Sequence, residues 1–258
     1  RDYSQRMREE FLKAYFKGSK YATCNIIGTK ENLETFKPEE LVNFYKTWYR
    51  PDMQAIIVVG DIDVDKIEAK IKKIFADIPK AVNPKAKDVI TIPDNKEPIV
   101  AIFKDKECPY TNIDIVYKSE PMPSQYNPLA ISVMNDIVKS LIGSILNERL
   151  DDIAKQPNAP FIDAGAGIYK FCATMEGFNG SVSAREGEGL KAFTALMTEL
   201  ERSKRYGFTQ AEYDRAKANI LRNYEREAAN AAGRYNSQFV NSYINNFTDN
   251  EAYTTPEY

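Results

Sequence analysis

The side chains in this sequence that could do chemistry are carboxylates and three cysteines, because the 258-residue chain contains no histidine. Asp61 and Asp63 follow an apolar run, and paired acids in that position can hold a metal or act as acid and base. The same residues also suit structural roles, since Asp63 can cap the next helix and Asp61 lies in a tight turn. We therefore interpret this pair as structural.

A second acidic group, Asp151 and Asp152, lies beside Glu148 and Arg149. It could be an acidic metal patch, but Glu148 and Asp152 have the spacing of a solvated helix face, which is the interpretation we favour. The glycines at 165 and 167 are too close together for a dinucleotide fingerprint, and no helix is predicted after them. A twisted strand explains these glycines better.

Cys24, Cys108 and Cys172 are odd in number and form no C-x-x-C pair. This pattern indicates ordinary thiols, not a disulfide framework or a zinc ribbon. The formal net charge is −2. Five tyrosines near the end of the chain could be imagined as a stacking platform for bases, but there is no basic groove for a backbone, so we predict no nucleic-acid partner. No apolar stretch reaches the ~18 residues of a membrane span.

The elements that would position these side chains are helices and short strands. Helical periodicity runs from Met7 to Phe16 and stops at Gly18, and a second apolar stripe begins at Pro38 and ends before Pro51. Residues 55–59 form an apolar, β-branched run, which predicts a central strand buried on both faces. On that basis, Val58→Asp would bury an unpaired charge at a cost of several kcal/mol.

Further along, we predict an edge strand at 88–92 in a proline-rich stretch, strands at 99–103 and 113–117, a long helix from 127, and strands at 161–175 and 180–184. A helix ending at Gly207 follows, and Thr209 and Glu212 then form a capping box for a last helix that runs toward Asn246. The order of elements predicts an α+β fold in which a mostly antiparallel sheet has helices packed on one face.

Several segments carry a family resemblance through their order and spacing. They are residues 21–28 (YATCNIIG), 36–52 (FKPEELVNFYKTWYRPD), 55–63 (AIIVVGDID), 147–150 (NERL) and 207–217 (GFTQAEYDRAK). In this order the segments resemble the pitrilysin-type zinc peptidases, or inverzincins, which include insulin-degrading enzyme and mitochondrial processing peptidase. The likeness is to the non-catalytic C-type domain, and one departure is Cys24, where the family often has arginine.

The resemblance implies a division of the chain. Residues 1–34 would be the C-terminal tail of a preceding catalytic-type domain, and residues 35–258 the inactive repeat domain. The family's catalytic domain supplies H-x-x-E-H and a distal glutamate, which would lie just before Arg1. Glu9 and Glu10 come too late in the motif to be that ligand. We therefore assign no catalytic, cofactor-binding or metal residue here, and expect zinc only in the full-length parent.

The resemblance also implies a function. The chain would be a piece of a zinc-dependent metalloendopeptidase that forms part of its peptide-binding chamber, inactive alone. Its partners would be the catalytic and other repeat domains of the same parent, together with unfolded peptide substrates. The alternative is a non-catalytic scaffold or interaction subunit of a peptidase-like complex, and the sequence preceding Arg1 would separate the two. The resemblance slightly favours the bacterial periplasm or cell envelope over the cytoplasm, and a helical pattern already running at Arg1 leaves room for a targeting signal upstream.

Overall fold

A computed structural model describes residues 2–24, 26 and 28–253. Arg1, Asn25, Ile27 and residues 254–258 lie outside the described residues, and so do parts of the resemblance segment 21–28 and the end of the predicted domain at 258. The helices are α1 (Tyr3–Tyr15), α2 (Lys30–Thr35), α3 (Pro38–Trp48), α4 (Val64–Ile74), α5 (Ala130–Ala154), α6 (Gly189–Tyr206), α7 (Gln210–Ala229) and α8 (Asn236–Asp249). The strands are β1 (Thr111–Ser119), β2 (Asp163–Cys172) and β3 (Met175–Ala184).

Helix ends lie where local signals predicted them. The Asp63 carboxylate accepts a hydrogen bond from the Lys66 amide at 3.1 Å and so caps α4. Gly207 ends α6 at a φ of 70°, a conformation that glycine adopts without steric cost. The capping box before α7 is also confirmed, since the Thr209 amide donates to Glu212 Oε2 at 2.7 Å and the Glu212 amide donates to Thr209 Oγ1 at 3.3 Å.

The three strands form one antiparallel sheet in the order β1-β3-β2. Helices α5 and α6 pack on it, and the main core lies between these helices and the sheet. A Cβ on Gly180 in the central strand would lie 3.1 Å from Leu200 Cδ1, so glycine permits the close approach of α6. The buried core residues are Leu146, Leu150, Phe161, Ala166, Val182, Ala184, Ala192 and Leu196. The predicted α+β class is confirmed.

Three of the predicted strands are wrong. Residues 55–59, 88–92 and 99–103 belong to no strand, and Ile56 and Val58 are about half exposed, at 51% and 48%. The physical reason is that an apolar run supplies neither a hydrogen-bonded neighbour strand nor a cover for its faces, and both are required for a central strand. Val58→Asp would therefore place its charge at a partly solvated position, and the large cost expected from the sequence has no basis.

The last helix also differs from its prediction. The helix that follows the capping box, α7, ends at Ala229 instead of continuing to Asn246. A 3-10 turn follows at Ala231–Gly233, and a separate helix, α8, begins at Asn236. Glycine in a helix costs about 1 kcal/mol relative to alanine, which weakens continuation through Gly233. The Tyr235 amide donates to Gln238 Oε1 at 2.9 Å, which supports a new helix start.

By packing, the chain divides into two compact units. The first combines the segment that ends at Cys24 with Ile90–Ala228, and it contains the sheet. The second combines the segment that ends at Val89 with the segment that begins at Ala229. This division concerns packing alone, and the domain boundary between residues 34 and 35 stays a prediction. Within the described ranges, no helix has the length and apolarity to cross a membrane.

One buried cation stands out in the first unit. Lys118 lies on β1 opposite Gly177, and its Nζ is buried without a hydrogen-bond partner in the described part of the chain. Because an unsatisfied buried donor costs about 1–3 kcal/mol, Lys118→Met is expected to raise the free energy of unfolding by a similar amount. Urea denaturation measures this, with the exposed Lys217→Met as control. A lower free energy of unfolding in Lys118→Met would contradict this prediction and would show that the Lys118 ammonium has a hydrogen-bond partner.

Candidate functional site

The predicted acidic candidates have structural roles. Besides capping α4, Asp63 pairs with Lys66 Nζ at 2.8 Å, and the hydrogen bond from that side chain lowers the pKa of Asp63. On α5, Asp151 pairs with Lys155, and Glu148 pairs with Arg215 Nε at 3.0 Å, both on exposed surface. Glycines 165 and 167 lie within β2, as the twisted-strand interpretation predicted.

The donor set does not fit a zinc site. The described residues contain no group of three or more histidine, cysteine, aspartate or glutamate side chains that could hold a metal ion. The cysteines are free thiols, with Cys24 exposed and Cys108 and Cys172 partly buried. Since the sequence has no histidine, the two imidazoles of an H-x-x-E-H motif cannot come from this chain.

Two of the resemblance segments meet around Arg149. Its guanidinium donates to Glu212 through Nε at 2.6 Å and through Nη2 at 2.8 Å. Nη1 donates to Glu199 Oε1 at 3.0 Å and to Ser203 Oγ at 2.9 Å, and Nη2 also donates to the Gly207 carbonyl at 3.2 Å. We call Arg149, Glu199, Ser203 and Glu212 the Arg149 cluster. It ties α5 to α6 and α7, so segments 147–150 and 207–217 act as one structural unit.

Burial strengthens the ion pairs of the Arg149 cluster. The side chains of Arg149, Glu199 and Glu212 are only 11%, 7% and 15% exposed. The hydrogen bond from Arg149 lowers the pKa of Glu212 to about 2, and bonds from Thr209 act in the same direction. The bidentate contact with Glu212 in turn raises the pKa of Arg149. Paired charges in such a site are held in one geometry, which fixes the ends of three helices.

Acid should weaken the fold through Glu212. Its folded-state pKa, about 2, lies below the ordinary value of 4.5, so its contribution is fully present above pH 4.5 and is lost as the pH falls through 2. We expect the free energy of unfolding to decrease over this window in urea titrations at successive pH values. In Glu212→Gln the decrease should be shallower. An equally steep decrease in that variant would contradict the assignment to Glu212.

A second feature is an open cleft of about 490 Å³ between α1 and one face of the sheet, which we call the aromatic cleft. Its helix wall includes Met7, Phe11 and Tyr15, and its sheet wall includes Asp114 and Phe171. The Tyr15 and Phe171 rings are stacked with centroids 5.7 Å apart, and Phe11 lies 5.9 Å from Tyr15. The walls are thus aromatic and largely apolar, as in sites that bind organic groups.

Asp114 is the carboxylate of the aromatic cleft. Solvent reaches it, but the apolar walls remove part of its hydration, and this desolvation raises its pKa while a hydrogen bond from Asn179 opposes the rise. Burial, aided by the Asp114 charge, raises the pKa of Tyr15 to about 12. Our sequence interpretation missed Asp114. The available signal was a charged residue between Ile113 and Ile115, but in an alternating strand that pattern usually marks the solvent face.

The free edge of β2 forms a smaller groove against α5, of about 390 Å³. There the Asn147 side chain engages both backbone groups of one strand residue. Nδ2 donates to the Ala166 carbonyl at 3.0 Å, and the Ala166 amide donates to Oδ1 at 2.9 Å. Asn147 therefore satisfies part of a strand edge that would otherwise present unpaired groups. This gives the asparagine of segment 147–150 a structural role.

Comparison with known proteins identifies relatives over most of the chain. Residues 35–220 match the family model of the peptidase M16 inactive domain. The probable zinc protease PqqL of Escherichia coli K12 is 26% identical over 234 residues, which cover 90% of this chain and 24% of that protein. The protein of the same name from Haemophilus influenzae is 24% identical over 202 residues, covering 76% of this chain and 21% of the relative.

Solved structures agree with these sequence matches. The crystal structure of the periplasmic protease PqqL from Escherichia coli superposes with a TM-score of 0.84 at 22% identity, over 99% of this chain and 28% of that one. At this identity the superposition shows the fold. The present chain thus spans about a quarter of the length of these relatives. The predicted resemblance to zinc peptidases and their inactive domain is confirmed.

Proposed function

We propose, from the premise that the chain belongs to the peptidase M16 inactive-domain family, that it forms a non-catalytic part of the peptide-binding chamber of a zinc-dependent endopeptidase. The observation that carries the proposal is the match of residues 35–220 to an inactive peptidase domain in a chain without histidine. Zinc chemistry then belongs to another part of the same parent. Residues 1–34 would be the tail of a catalytic-type domain, and the family match beginning at residue 35 supports that boundary.

The partners in this proposal are the remaining domains of the parent. Support comes from the second packing unit, where large apolar side chains are solvent-accessible, including Leu41 at 61%, Phe44 at 55% and Tyr45 at 60% on α3. Contiguous apolar surface of this kind typically marks an interaction site. The relatives' greater length provides covalently attached domains to cover it. A periplasmic location of the parent is proposed from the PqqL structure, and cell fractionation tests it.

Photo-crosslinking in the full-length parent tests the chamber role. Tyr3 lines the aromatic cleft, whereas Tyr206 is 81% exposed at the end of α6 and serves as the matched control. Each is replaced by p-benzoylphenylalanine, and a reduced, carboxymethylated protein is added as unfolded substrate, with EDTA to stop turnover. We expect a substrate adduct from the Tyr3 variant and little from the Tyr206 variant. Equal labelling, or none at Tyr3, would contradict a role of this chain in the peptide-binding chamber.

A further inference from the structure

The charge of Asp114 is incompletely compensated in the aromatic cleft. Its carboxylate accepts a hydrogen bond from the neutral Asn179 amide, and Asp114 forms no ion pair within the described ranges. The other charged group lining the cleft is Arg8, which is exposed and likewise forms no ion pair there. A carboxylate in a partly desolvated site gains most from a cation that reaches it through the cleft.

We propose that the aromatic cleft binds the lysine or arginine side chain of an extended peptide, with Asp114 accepting a hydrogen bond from its cationic head. Tyr15 and Phe171 would contact the methylene groups of the bound side chain and the periphery of its charged head group. The inference rests on the proposed function, because it names the kind of substrate segment that the chamber wall would hold. A volume of about 490 Å³ is ample for one long side chain.

The chemistry of the walls selects a cation over other groups. An anionic side chain would be repelled by Asp114, and a purely apolar one would leave the carboxylate desolvated without a partner. A cation against aromatic rings gains about 0.5–2 kcal/mol beyond apolar contact. The attraction between the bound cation and the Asp114 carboxylate adds to this gain. Tyr15 is protonated at neutral pH, since the ordinary tyrosine pKa of 10 already lies well above 7 and burial raises this one to about 12, so the ring introduces no competing anion.

Peptide binding to the 258-residue chain tests the inference. The probes are three blocked pentapeptides, Ala-Ala-X-Ala-Ala, in which X is lysine, norleucine or Nε-acetyl-lysine. Methionine methyl groups are labelled with ¹³C for NMR, and Met7, which lines the cleft, reports the site after assignment by Met7→Leu. We expect the lysine peptide to shift the Met7 signal with a dissociation constant about tenfold lower than either neutral peptide, within the cation–aromatic range.

Two variants test whether Asp114 causes the preference for the lysine peptide. Asp114→Asn keeps the shape of the side chain and should weaken the lysine peptide about tenfold, while the norleucine peptide should bind equally well or more tightly because it no longer desolvates a charge. Arg8→Gln removes the nearby competing cation and should leave lysine binding equal or tighter. Equal affinities for the three peptides, or an unchanged lysine affinity in Asp114→Asn, would overturn the cation site and leave the proposed function intact. No binding of any peptide, together with no adduct from the Tyr3 variant, would overturn both.

Discussion

Arg149→Met is expected to lower the free energy of unfolding by about 3–5 kcal/mol, because it leaves the Glu212 carboxylate without a cation and Glu199 with only the more exposed Arg202 as its partner. Glu199 and Glu212 are 7% and 15% exposed, so water replaces the lost hydrogen bonds poorly. Methionine fills a similar volume, which limits the cavity contribution. Urea unfolding followed by circular dichroism measures the change. Since Arg149 also holds the Gly207 carbonyl, the start of α7 should lose amide-exchange protection first.

The neighbouring ion pair supplies the control. Arg215 and Glu148 connect the same two helices, α7 and α5, but their side chains are 54% and 41% exposed. Exposed pairs contribute about 0–1 kcal/mol, so Arg215→Met should stay within that range. Comparable losses in the two variants would mean that burial of the Arg149 cluster does not govern its contribution. Adding Glu212→Leu to Arg149→Met should recover part of the loss, because it removes one orphaned charge.

Helix boundaries were predictable because their signals are local. The Asp63 cap, Pro38 at the start of α3 and Gly207 at the end of α6 each act within a few residues. The capping box of Thr209 and Glu212 was predicted for the same reason. The second role of Glu212, as partner of Arg149, joins residues 63 positions apart. Sequence pattern alone contains no information about such a distant contact, although the family resemblance had singled out both segments.

Strands were less predictable because their partners are distant in sequence. Residues 113–117 were recognised as a strand, and β1 pairs with β3 across 57 to 73 residues. Residues 55–59 have stronger strand character by composition, yet they pair with no described strand and leave Val58 about half exposed. The composition of a segment indicates how much apolar surface it could bury. Whether it forms a strand depends on a partner strand that comes from elsewhere in the chain. Asp114 was missed for the same reason. It lies on a face of the sheet that lines a cleft only because α1, distant in sequence, packs opposite it.

The isolated 258-residue chain is expected to cleave no peptide and to hold no stoichiometric zinc after dialysis. An H-x-x-E-H site needs two imidazoles and a glutamate, and this sequence provides no imidazole. The full-length parent, in contrast, is expected to cleave a quenched fluorescent peptide of unfolded sequence. Enzymes accelerate such reactions at least about 10⁶-fold, so the two proteins should differ by orders of magnitude in rate.

Chelation separates metal dependence from other causes of activity. The parent should lose cleavage with 1,10-phenanthroline and keep it with the non-chelating 1,7 isomer, and added zinc should restore the inhibited enzyme. Metal analysis should find zinc in the parent and none bound to the isolated chain. Phenanthroline-sensitive cleavage by the isolated chain would refute the assignment of the zinc site to another domain. A metal-free, inert parent that still binds unfolded peptide would instead identify the protein as a scaffold, because binding surface would then be all that the fold retains.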